Sequence, residues 1–201
     1  MSGYARFLAA FLVVAASAGL PTGSSAQPGG PSVLVLLQNN AGVPPEVTAK
    51  AQAEVTRLYA LIGVEVVWVT EIPQTGRRAR VVSLVRWEPS DAKTPESALG
   101  LTYSDRQQRG YLAYIFAPRV ARASQQFTAL LSHVLAIAMA HELGHMLLPH
   151  GSRAKRGLME EGWDSGHFRS ASAGLLHFAG ESGDLIRRGL IAEAAVTRAG
   201  R

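Results

Sequence analysis

The chain has 201 residues, a formal net charge of +5 and no cysteine. Without cysteine it can have neither a disulfide framework nor a lipid-modified cysteine anchor, so packing and metal binding are left to hold the fold. The basic residues are scattered and no nucleic-acid-binding motif accompanies them, so the charge surplus reads as a solvated surface rather than a nucleic-acid partner.

Arg6 precedes an apolar run from Phe7 to Leu20, and Ser24-Ser25-Ala26 then offers small residues where a signal peptidase reads. The expectation is a secretory signal peptide over 1–26, cut after Ala26, with a secreted or periplasmic product. The apolar run is short for a bilayer span and is followed by Pro21 and Gly23, so no stable membrane insertion is expected after cleavage. The stretch 27–201 is long enough for one core and reads as a single domain.

Val33 to Leu37 reads as a buried strand, and Pro44-Pro45 marks the start of an amphipathic helix over Val47 to Leu61 that Gly63 ends. The β-branched run Val64 to Val69 completes a strand–helix–strand unit with parallel strands. Arg80 to Trp87, Ala98 to Tyr103 and Tyr111 to Phe116 are three further strands. One long helix is then expected from Phe127 to Leu148, with a buried stripe through Leu130, Val134, Ile137, His141, Gly144, His145 and Leu148, stopped by Pro149. The glycines at 157, 162 and 166 argue against a regular helix after it. A short apolar piece, Leu175 to Phe178, and a closing helix over Asp184 to Val196 finish the chain. The fold class is α+β, with a mixed, mostly parallel sheet.

The chemistry concentrates in His141-Glu142-Leu143-Gly144-His145. On a helix the two histidines stand one turn apart and about 40° around the axis, close enough for both rings to bind one metal. Glu142 lies beside them, placed to take a proton from a water rather than to bind the metal. A catalytic zinc normally has three protein ligands and one open position. His150, just past Pro149, is the nearest third donor, with Glu160, Glu161, Asp164 and His167 as competitors. His133 is about 12 Å down the helix axis from His141, too far to share the ion. Trp68 and Trp87 read as core residues, His177 as packed in the core or on the surface, and Trp163 either lines a pocket or packs.

With Gly157-Leu158-Met159 downstream, the segment from His141 to Met159 resembles the metzincins, zinc peptidases with an extended histidine motif and a methionine-containing turn. Here the family's motif glycine has no equivalent and His150 stands one residue early. The resemblance is closest to small exported bacterial proteins of that type. It implies zinc held by His141, His145 and His150, Glu142 as general base, Met159 as the apolar floor under the metal, and Ala98 to Tyr103 as the rim against which a peptide or protein substrate extends. The expected activity is a zinc-dependent endopeptidase. The alternatives are a catalytically idle zinc-binding interaction module and a zinc hydrolase of a non-peptide bond.

Overall fold

Proline at the first helical position and β-branched strands on either side produce the first unit as expected. In the computed structural model, which describes residues 30–74, 78–90, 93–104, 110–149 and 156–199, β1 (Ser32–Asn39) leads through α1 (Pro45–Ala60) to β2 (Glu65–Val69), and the two strands pair in parallel. β3 (Ala79–Val85), β4 (Gly100–Ser104) and β5 (Gly110–Phe116) complete one five-stranded sheet of order β2-β1-β3-β5-β4. Four strands run parallel. β4 pairs antiparallel with β5 and stands at the end of the sheet, with its other edge facing the cleft described below.

The expected helix over Phe127 to Leu148 begins later, at Leu131, and a separate helix precedes it. Pro118 starts α2 (Ala117–Gln126) directly from β5. Thr128 then takes a φ of 51°, a left-handed turn that ends α2, and Ala129 N–H donates to Ser124 O. Leu130 is extended and lies outside the helix at 65 % exposure, so the predicted stripe does not begin there. α3 (Leu131–Leu147) follows. It is buried nearly all round, because the sheet, α1, α2, α4 and α5 all pack against it. Tyr59 of α1, fully buried, donates its hydroxyl to Ala140 O at 3.0 Å and ties the two central helices together.

The glycine-rich stretch also departs from the expectation. It contains a regular helix, α4 (Ser165–Ser172), because Asp164 caps it by accepting from Gly166 N–H and His167 N–H at 2.8 and 3.1 Å. Gly166 sits in the first turn, where the cap offsets its low propensity. The closing helix α5 (Gly180–Ala199) is longer than expected at both ends. Trp87 is a third difference: it is 47 % exposed and lies against Tyr114 and Phe116 rather than in the core. Trp68 is partly buried and donates to Thr56 Oγ1. No helix among the described residues is long and apolar enough to cross a membrane. The expected signal segment 1–26 lies outside the described residues, as does His150.

Candidate metal centre and cleft

One turn of α3 brings the His141 and His145 rings together with their Nε2 atoms 3.0 Å apart. Two nitrogens bound at about 2.0–2.1 Å to one tetrahedral zinc stand about 3.3 Å apart, so the pair fits a single ion with little movement. The ring of His141 is oriented from outside: its Nδ1–H donates to Leu158 O at 2.7 Å, which fixes the tautomer that leaves Nε2 as a lone-pair donor. Burial, with the neighbouring His145 ring adding to it, lowers the His141 pKa to about 4; burial also lowers that of His145. Both rings are therefore neutral near pH 7, as metal ligands must be.

Leu158 is held in place by a tight turn. Gly157 has a φ of 75°, Leu158 N–H donates to His177 O at 2.9 Å, and Glu160 N–H donates back to Gly157 O at 3.0 Å. A Cβ at Gly157 would stand 2.6 Å from His177 O, so only glycine fits. The turn carries Met159, buried, against the glycine of the histidine motif: a Cβ at Gly144 would collide with Met159 Sδ. Gly144 thus lets the methionine pack beside the helix between the two histidines.

Glu142 is 7 % exposed, and Thr102 Oγ1 of β4 lies 2.7 Å from its Oε2 and 3.0 Å from its main-chain O. Burial raises the carboxyl pKa to about 7, and the Thr102 hydrogen bond works against that rise. A group poised there exchanges protons readily at neutral pH.

Among the described residues no third His, Cys, Asp or Glu joins the pair in a metal-holding group. Of the four competitors to His150, three hold one another. His167 Nδ1 is 2.8 Å from Asp164 Oδ1 and its Nε2 is 3.3 Å from Glu160 Oε2. Burial lowers the His167 pKa, but these two carboxylates outweigh it and the net shift is upward. Glu161 is exposed and lines the cleft near His145. His133 is placed on the first turn of α3, away from the pair, and His177 is exposed with Nδ1 donating to Leu175 O.

The histidines and Glu142 open onto a cleft of about 760 Å³. β4 lines one side from Gly100 to Thr102, and Glu160, Glu161 and Trp163 line another. An aromatic group backs it: Trp163 meets the His141 ring edge-on at 5.0 Å, and Phe127 stacks on Phe168 at 4.4 Å. Beyond β4 the cleft reaches Arg119 and Arg122. Arg119 donates to Pro95 O and Ala98 O and, with Arg122, to the Glu88 carboxylate, so it anchors the segment leading into β4.

The Arg122 hydrogen bond, opposed by partial burial and aided by that of Arg119, holds the Glu88 pKa at about 2 against an ordinary 4.5. A depressed carboxyl pKa adds stability that is complete above the ordinary value and lost as pH falls through the folded one. Wild-type stability should therefore decline between pH 4.5 and pH 2 more steeply than that of Glu88→Gln, measured by urea unfolding. Parallel decline of the two would show that this anchor carries no pH-dependent stability.

No protein-family model matches the sequence, and no curated protein matches it. A solved structure with a similar fold is the archaemetzincin of Methanopyrus kandleri, at a TM-score of 0.54 and 16 % identity. The match covers 82 % of this chain and 99 % of that one. That likeness is one of fold; this chain is α+β, with a mostly parallel mixed sheet and five helices in the described residues.

Proposed function

We propose that the protein is an exported zinc-dependent peptidase in which Glu142 moves the proton. The observation that carries this reading is the convergence of His141 Nε2 and His145 Nε2 to 3.0 Å beside a buried carboxyl, at the wall of a cleft large enough for a peptide. Such a carboxylate is superfluous to a purely structural zinc site, which favours an enzyme over an idle module.

His141 and His145 would hold the ion, with His150 supplying the third donor. Bound there, zinc supplies a Lewis acid that polarises a carbonyl and brings the pKa of a water toward neutrality. The rest falls to the chain's own groups. Leu158 O keeps the His141 imidazole in its donor tautomer. With Oε2 engaged by Thr102, Glu142 presents Oε1 to take a proton from the attacking water and later give it to the leaving amine nitrogen. The outer edge of β4 offers main-chain groups to an extended substrate, which gains hydrogen bonds largely independent of its sequence. Trp163, Phe127 and Phe168 offer a bulky apolar side chain a place to pack beside the scissile bond.

The experiment is an unbiased peptide-library digest by the zinc-loaded chain from Gln27 onward, with products identified by mass spectrometry. Cleavage abolished by a chelator and restored by zinc is the expected result. The absence of cleavage across a broad library by fully metallated protein would sink the peptidase reading. Export is tested separately by intact mass of material outside the cytoplasm, which should begin at Gln27; recovery only of a membrane-bound chain that retains Phe7 to Leu20 would contradict it.

A further inference from the structure

β4 does more than rim the cleft. Its residues alternate between the two faces of the sheet, and Gly100 and Thr102 share the face that meets α3, where both meet the Glu142 side chain. A Cβ at Gly100 would lie 2.6 Å from Glu142 Cγ, 3.0 Å from its Cδ and 2.8 Å from Tyr114 O. Glycine therefore leaves the room in which the carboxyl lies. Two residues on, the Thr102 hydroxyl closes that space at 2.7 Å from Oε2.

We infer that Gly100 and Thr102 form a cradle on the edge strand that positions the Glu142 carboxyl, with Thr102 as a positioning residue that acts through Glu142. The inference rests on the reading of Glu142 as the proton-moving group. A hydroxyl suits the task because it both donates and accepts, and because two oxygens of the same residue lie within its reach. Toward the carboxylate, Thr102 donates its one proton to Oε2. Toward the carboxylic acid it accepts from the Oε2 hydrogen and turns its own proton to the Glu142 main-chain O, 3.0 Å away. The carboxyl thus keeps one position whether it is to receive a proton or to release it. Because the same strand offers its outer edge to substrate, substrate and proton carrier are registered on one rigid element.

Thr102→Val keeps the shape and removes the hydroxyl, and Thr102→Ser restores it. Expected for Thr102→Val is a fall in kcat of about 10- to 100-fold, the scale of losing one hydrogen bond to a charged group, with KM within about twofold of wild type. Thr102→Ser should recover most of kcat, with unchanged zinc content in both. An unchanged kcat in Thr102→Val would overturn the inference, and so would a loss shared between kcat and KM that serine does not rescue. A second measurement needs no turnover. In urea unfolding, Thr102→Val should lower the folding constant by about 10-fold or more in the wild-type background and by less than about 3-fold in Glu142→Ala. Equal losses in the two backgrounds would overturn the positioning contact. If zinc-loaded wild type cleaves nothing, the peptidase reading fails, and the unfolding comparison still decides whether Thr102 positions Glu142.

Discussion

Replacing Glu142 with alanine should leave zinc content and folding nearly intact while peptide hydrolysis falls by about 10²- to 10⁴-fold, the usual cost of removing a general base. The separation of the two effects follows from geometry. The Glu142 side chain is directed toward β4, where Thr102 meets its Oε2, whereas the Nε2 atoms of His141 and His145 converge on each other. Removing the carboxyl therefore withdraws no imidazole. It also removes an ionisable group that burial already disfavours in its charged form, so the folded state loses packing more than favourable charge. Zinc content and thermal stability, read beside library cleavage for wild type and variant, check this. Equal cleavage by both proteins would show that another group moves the proton.

The imidazoles should behave in the opposite way. His141→Ala and His145→Ala should each abolish zinc binding at micromolar free metal, and hydrolysis with it, because a catalytic site has only three protein donors. His150→Ala should do the same, with a drop in affinity of at least about 100-fold under competition with a chelator. Glu160→Ala and Asp164→Ala should not. Their carboxylates are engaged with His167, and that of Asp164 also caps α4. Full zinc occupancy in His150→Ala under chelator competition would move the third ligand to another residue.

How much of this could be read in advance depended on whether the cause was local. The approach of His141 to His145 follows from helical spacing alone, and the parallel β1–α1–β2 unit from proline, glycine and β-branched runs. The break between α2 and α3 left no such mark: Thr128 takes its left-handed turn in a stretch of ordinary helix formers. α4 is masked in the sequence by glycines that disfavour a helix, although Asp164, three residues before His167, marks its cap. Gly100 and Thr102 were also missed. A glycine inside a strand marks a close approach, and the residue two positions on shares its face, so that pair was legible in principle. The Leu158 carbonyl that orients His141 was not, since a backbone contact made by a turn 17 residues away leaves no trace in side-chain pattern.

The most direct measurement is zinc stoichiometry and peptide-library cleavage for the chain from Gln27 onward, with Glu142→Ala alongside. One zinc per chain in both proteins, with cleavage in the wild type alone, is the predicted result. Wild-type protein that takes up no zinc, or two proteins that cleave equally, would contradict it.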